Sequence, residues 1–430
     1  MIKVNFIHGD FNPCGGAERL SLVTMQALLE VGIEDITLTT LTNPDLSKLK
    51  NTYGKNLVSV MEKINKINVV NILEELRLQQ QQRHQEHHED YNYDITINTN
   101  GDAAPYYHSS FTKGNALTYC HFPSTKYHIE SENIDYLKTD LGMRAIESNC
   151  FSDNNNDYEY NTISNLQNCK SNLQFNNKQT RTKKECFDII QYGYWNLMRN
   201  SRVITNSEFS RKTIVNAFGL DDVYILSPPI DIKTFRNLAL MTNGEDDKRK
   251  DIILVISRID PHKKIENAIR LAKILKNKKI GRAMKIVGNL YYYYSDYYLE
   301  LKQLVVELDL TDYIIFEINA SLDKLLSIMQ ESRVYFHPMV GEHFGIAVLE
   351  AMAAGLITVV PNEGGPSEFV PQKYHYNTIE HAAEIITDIF NQLPKAERVK
   401  ISSDTNKFST CHYIEGFKTI LNQMLSKRRK

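Results

Sequence analysis

No run of about 18 uncharged apolar residues occurs in this 430-residue chain, so no segment reads as a membrane-spanning helix. The most apolar long stretch, Phe344 to Pro361, is interrupted by Glu350 and two glycines and reads as a buried strand-helix unit. Met1 to Asp10 lacks the basic start, apolar core and small-residue cleavage site of a secretory leader. An excess of one charge is also missing. Lys and Arg total 50 against 52 Asp and Glu, a net charge of -2, which argues against a dedicated nucleic-acid binder. The six cysteines, at 14, 120, 150, 169, 186 and 411, show no CxxC spacing, so a reducing compartment fits better than a disulfide framework or a zinc site. No Asp-x-Asp pair occurs, although Mg²⁺ or Mn²⁺ held together with substrate phosphates usually needs carboxylates placed together. What is present is an ordinary globular composition, 42% hydrophobic and 24% charged, long enough for two or three domains.

The chain opens as a βα unit. Lys3 to His8 is strand-like, Gly9 to Gly16 holds three glycines and Pro13, and Ala17 to Val31 has helical apolar spacing. Further strands are expected at Asp35 to Leu41, Asp94 to Asn98, Asn115 to Cys120 and Arg202 to Thr205. A stiff linker, Ser227 to Asp231, and a charged loop, Asn243 to Lys250, precede a second series. Its strands are Ile252 to Ser257, Met284 to Val287, Tyr313 to Phe316, Val334 to His337 and Leu356 to Val360, with a helix at Lys264 to Lys276. Alternating strands and helices predict parallel sheets covered on both faces, hence an α/β protein of two doubly wound domains facing a cleft. In such folds ligands sit beyond the carboxyl ends of the strands. The expected bounds are 1–230, 245–405, and a C-terminal helix and basic tail at 406–430. Two segments break the rhythm. Gln79 to Asp90, with His84, His87 and His88, reads as the solvated end of a helix begun near Val69. Asn149 to Asn177 carries ten asparagines and few aliphatic residues, and reads as a surface insertion with too little apolar surface to offset its ordering entropy.

Four motifs carry chemistry. In Gly341-Glu342-His343-Phe344-Gly345-Ile346 through Glu350, two glutamates lie eight apart around a glycine that precedes an apolar helix. Gly345 lets the backbone approach a ligand, and the N–H groups of a helix start favour phosphate. Glu350 is expected about two turns further along, on the face of Glu342, so that one carboxylate reaches a sugar and the other a ribose. A capped core helix with two surface glutamates would give the same spacing. Ser257-Arg258-Ile259-Asp260-Pro261-His262-Lys263 follows a strand and precedes a helix, so Arg258 and Lys263 can project into the cleft and neutralise a diphosphate. Gly15 and Gly16 form a tight turn at a helix start, and His121 follows a strand end; alone, each reads equally as ordinary structure.

Taken together, Glu-x7-Glu, Met352-Ala353-Ala354-Gly355 and Gly364-Gly365-Pro366 resemble the retaining GT-B glycosyltransferases of the GT4 type. With Glu342-His343-Phe344-Gly345-Ile346 and Cys120-His121-Phe122-Pro123-Ser124, the chain looks most like the α-1,2-mannosyltransferases that extend dolichol-linked oligosaccharides. The resemblance implies a GT-B fold and transfer of a hexose, with mannose from GDP-mannose expected, to a hydroxyl of a lipid-linked glycan. It implies His121 and Glu342 at the transferred sugar, and Gly15, Gly16, Arg258, Lys263, His343, Phe344, Gly345, Ile346 and Glu350 around the donor. In the family's Gly-Arg-x-x-x-Glu-Lys-Gly pattern, this chain has His262 for the acid and Lys264 for the last glycine, with both cations kept. No metal or other cofactor is expected. The alternatives are a UDP-sugar donor (glucose or N-acetylglucosamine), a sugar-nucleotide epimerase, or a non-catalytic scaffold of a glycosylation complex. A lipid-linked acceptor implies a cytoplasmic protein peripheral on the cytosolic face of a membrane. Lys427 to Lys430, behind a helix carrying Phe417, Ile420, Leu421 and Leu425, could contribute salt-sensitive attachment.

Overall fold

The protein is represented by a computed structural model that describes residues 2–69, 93–101, 115–131, 187, 198–241, 249–392 and 395–427. The Gln79 to Asp90 run, the Asn149 to Asn177 insertion and residues 428–430 of the basic tail lie outside these described residues.

Among the described residues two parallel sheets form. The first comprises β1 (Lys3–Ile7), β2 (Asp35–Thr40), β3 (Lys66–Val69), β4 (Ile95–Asn98), β5 (Ala116–Tyr119), β6 (Ser201–Thr205) and β7 (Val223–Ile225). Its order is β3-β2-β1-β4-β5-β6-β7, so the winding reverses between β1 and β4. The second comprises β8 (Ile252–Ile256), β9 (Ala283–Gly288), β10 (Ile314–Ile318), β11 (Val334–Phe336), β12 (Ile357–Pro361) and β13 (His375–Tyr376). Its order is β10-β9-β8-β11-β12-β13, which reverses between β8 and β11. Each reversal opens a crevice at the carboxyl ends of its two strands. The central strand β8 is apolar along its length, Ile-Ile-Leu-Val-Ile, because helices bury both faces.

The helix expected to begin near Val69 falls on residues outside those described. Lys66 to Val69 is the edge strand β3, mostly exposed and paired with β2; its Lys-Ile-Asn-Val alternation spans only four residues, too few to stand out as a period. The short strands β7 and β13 were likewise too brief to stand out.

The C-terminal helix Thr410–Lys427 is not a free-standing element. It lies along the Gly16–Glu30 helix of the first domain, where the Tyr413 hydroxyl and Thr24 Oγ1 share a hydrogen bond of 2.7 Å and Lys418 pairs with Glu30 at 2.9 Å. Phe417, Ile420 and Leu421 are buried in the first domain's core, and Leu425 packs against it. The apolar stripe of this helix is therefore covered by the first domain. The chain passes between the domains twice, side by side, with the Ile230 N–H donating to Phe408 O at 3.0 Å and Ile230 bridged to Ser409.

Candidate active site

The loop after β8 is shaped by its own side chains. Asp260 accepts the His262 N–H at 2.9 Å and caps a single turn, Pro261–Lys263. Lys264 then takes a left-handed conformation (φ 53°) and starts the Ile265–Asn277 helix. This turn aims Lys263 at the loop after β11, where its ammonium donates to Glu342 Oε2 at 2.6 Å. His337, directly after β11, holds Nε2 at 3.7 Å from the same oxygen. Burial alone would raise the Glu342 carboxyl; the charges of Lys263 and His337 and the lysine's hydrogen bond outweigh it and hold the group down at about 2. Arg258 stays more than half exposed, 3.9 Å from Asp260.

Glu342 does not share a helix face with Glu350. It precedes the Ile346–Ala353 helix, in a loop pinned to Gly364, where the Gly365 N–H donates to Glu342 O at 2.7 Å. Gly345 caps that helix with φ 88°, a conformation that favours glycine. Glu350 lies on the helix, and burial raises its carboxyl to about 7 against the downward pull of Arg19 from the other domain. The two carboxylates therefore affect stability with opposite sign. The Glu342 contribution is present above about 4.5 and lost as pH falls through about 2, whereas that of Glu350 is present below about 4.5 and lost as pH rises through about 7.

The first domain supplies the opposite wall. Gly15 caps the Gly16–Glu30 helix and donates its N–H to Glu18 Oε2, while Tyr53 donates to Gly15 O. His121 follows β5, and its Nε2 lies 3.2 Å from Thr99 O. A carbonyl only accepts, so Nε2 carries the proton and Nδ1 is left as an acceptor. Burial lowers the His121 ring to about 4, which keeps it neutral.

The two walls touch. A Cβ on Gly16 would come within 2.1 Å of Ile346 Cδ1, so a larger residue there would have to push that side chain aside. The rings of His343 and Phe122 stack at 3.7 Å with 4° between their planes. Ser207 Oγ donates to His343 O at 2.7 Å, and Glu368 accepts the N–H groups of Glu208 and Phe209 at 2.9 and 2.7 Å, capping the Glu208–Phe218 helix from the other domain. Arg258, Lys263, Glu342, His343, Gly345 and Ile346 thus come together on one side of the cleft, with Gly15, Gly16 and His121 on the other. Phe344 is corrected: its ring is buried among Phe369 and Phe408, so only its backbone can face a ligand.

The sequence reading missed His337, Ser207 and Glu368. Glu368 caps a helix 160 positions earlier, a pairing no local period can announce. Ser207 was findable as a cap before the helical Glu208 to Phe218, and Phe122 stood inside a motif noted only for His121.

Residues 240–403 match the family described as glycosyl transferases group 1. The GDP-Man:Man(3)GlcNAc(2)-PP-Dol alpha-1,2-mannosyltransferase of Dictyostelium discoideum is 30% identical over 287 residues, 59% of this chain and 56% of that protein. The human protein of the same name is 27% identical over 215 residues, covering 45% and 42%. The chain spans about half the length of these curated relatives. A glycosyltransferase crystal structure from Rickettsia africae superposes with a TM-score of 0.62 at 15% identity, covering 99% of this chain and 98% of that one. The chain thus carries a glycosyl transferases group 1 domain over residues 240–403, set in a two-domain GT-B fold.

Proposed function

We propose that this protein is a retaining glycosyltransferase that moves mannose from GDP-mannose to a hydroxyl of a lipid-linked glycan, without a metal. The observation that carries the reading is the Lys263–Glu342 pair, with Arg258 in the same loop as Lys263, at the crevice between β8 and β11 and across from the neutral His121. Two cations there neutralise a diphosphate and stabilise it as it leaves. Glu342 and the Nδ1 acceptor of His121 hold hydroxyls of the transferred sugar, and Glu350 accepts from a ribose. The acceptor hydroxyl attacks from the face on which the diphosphate departs, and the departing phosphate takes its proton, so the protein contributes positioning and charge stabilisation. Mannose and the dolichol-linked acceptor come from the names of the mannosyltransferases that the chain resembles. Among the described residues no helix is long and apolar enough to cross a membrane. The lipid of the acceptor then brings the cleft to a membrane surface, where the protein acts as a peripheral partner on the cytosolic side.

The test is hydrolysis and transfer screened across GDP- and UDP-sugars, with and without EDTA. Turnover of GDP-mannose that survives EDTA is expected. Use of UDP-sugars alone would replace the donor, EDTA-sensitive turnover would restore a metal, and no turnover of any sugar nucleotide would end the reading.

The ribose role of Glu350 predicts a pH dependence. Ribose hydroxyls donate to the ionised carboxyl, so binding favours its deprotonated form, which is the minor one below about 7. A single group titrating there weakens GDP binding about tenfold between roughly pH 8 and pH 6. Calorimetry across that range should show this dependence, and Glu350→Gln should flatten it. A flat profile in the unmodified protein would remove Glu350 from the nucleotide site.

A further inference from the structure

The crevice between β1 and β4 in the first domain holds a buried polar cluster that the donor chemistry does not use. His8 follows β1 and is 2% exposed; Thr99 follows β4 and is 1% exposed. His8 Nδ1 lies 3.0 Å from the Ser21 hydroxyl and 3.2 Å from that of Thr99, and Ser21 Oγ donates to Thr99 Oγ1 at 2.8 Å. The other ring nitrogen, Nε2, has no hydrogen-bond partner among the described residues and lies 3.5 Å from Glu18 Oε1. Leaving a buried ring nitrogen without a hydrogen bond costs free energy, and the nearby Glu18 carboxylate is placed to offset part of it. Here the ring stands behind that carboxylate at the mouth of the crevice.

Glu18 has one oxygen engaged by the Gly15 N–H and the other beside His8. Only 11% of its side chain is open to solvent. It stands two residues after Gly16, whose backbone packs against Ile346 of the other domain, so it lies beside the space between the domains. A fixed carboxylate opposite the phosphate-binding cations repels a diphosphate and attracts hydroxyl donors. The neutral partner rich in hydroxyls, in the proposed reaction, is the acceptor glycan.

Resting on that reading, we propose that Glu18 is an acceptor-binding residue, accepting a hydrogen bond from a hydroxyl of the acceptor sugar beside His121, and that His8 is a positioning residue that sets its carboxylate. No bond is made or broken at Glu18. It orients the acceptor so that the attacking oxygen faces the departing diphosphate.

A capping role alone can be separated from this one, because glutamine serves the capping position as well as glutamate does. The full chain is assayed with GDP-mannose and a mannosyl glycan on a short alkyl diphosphate, alongside GDP binding by calorimetry and thermal melting. Glu18→Gln should keep its melting temperature and GDP affinity, while kcat/KM for the acceptor falls about 10–100-fold, the scale of a hydrogen bond to a charged group. His8→Gln should cause a smaller loss in the same parameter. Unchanged acceptor kinetics in Glu18→Gln would reduce the residue to a helix cap. Equal loss of GDP affinity would move it to the donor. A wild-type protein that turns over no sugar nucleotide overturns the glycosyl-transfer reading itself, and this inference with it.

Discussion

Replacing Lys263 with alanine should lower turnover about 10²–10³-fold, the scale for removing one preorganised stabiliser of developing negative charge. The side chain has two jobs in this fold. It holds Glu342 at 2.6 Å and keeps that carboxyl near 2, and it is the cation that a donor diphosphate would share with Arg258. Removing one member of a mostly buried ion pair leaves its partner uncompensated, at a cost of about 3–5 kcal/mol. A stability loss could therefore pass for a catalytic one. The double variant Lys263→Met with Glu342→Gln separates them: it should recover the melting temperature while turnover stays low. A Lys263→Ala protein with normal stability and normal turnover would remove both the ion pair and the diphosphate role from the account.

Gly365→Ala should be as damaging, by a different route. A Cβ at Gly365 would lie 2.2 Å from His343 O and 2.8 Å from Phe344 Cα, both backbone atoms with no freedom to swing aside. The loop from Glu342 to Phe344 must shift as a unit, and with it the carbonyl that Ser207 holds from the other domain at 2.7 Å. Overpacking of this kind costs about 1–3 kcal/mol, and a shift of roughly 1 Å in a positioning loop costs on the order of 10²-fold in rate. Gly32→Ala is the control, since a Cβ there meets nothing within 4 Å and only the positive φ of 79° is penalised. Equal melting temperatures and equal rates for the Gly365 variant and wild type would contradict the packing.

The architecture was legible because buried parallel strands are written as short apolar runs separated by helical spacing, and Ile252 to Ile256 is such a run. Edge strands were not, since Lys66 to Val69 is mostly exposed and only four residues long. Within the site, Arg258, Lys263 and the Glu342 to Ile346 loop could be found because each sits in one contiguous turn after a strand. Which residues meet across the cleft could not. The Lys263–Glu342 pair, the Phe122–His343 stack and the Glu368 cap join positions 79 to 221 residues apart, and only the strand order decides such meetings. The mistaken helix face shared by Glu342 and Glu350 has a similar origin, because the left-handed turn at Gly345 starts the helix after Glu342 rather than before it.

The Thr410–Lys427 helix gives the protein an unusual order of birth. Phe417 and Leu421 complete the first domain's core, yet a ribosome makes them only after the whole second domain. The second domain can close while the first still shows the bare stripe of its Gly16–Glu30 helix, an apolar surface of the kind that chaperones hold. The domain whose synthesis starts first therefore receives the last of its core residues only after the second domain has been made. A chain stopped between Phe408 and Phe417 is expected to keep its second sheet while the first domain lacks part of its core, so it should be cleaved faster by protease than the full chain.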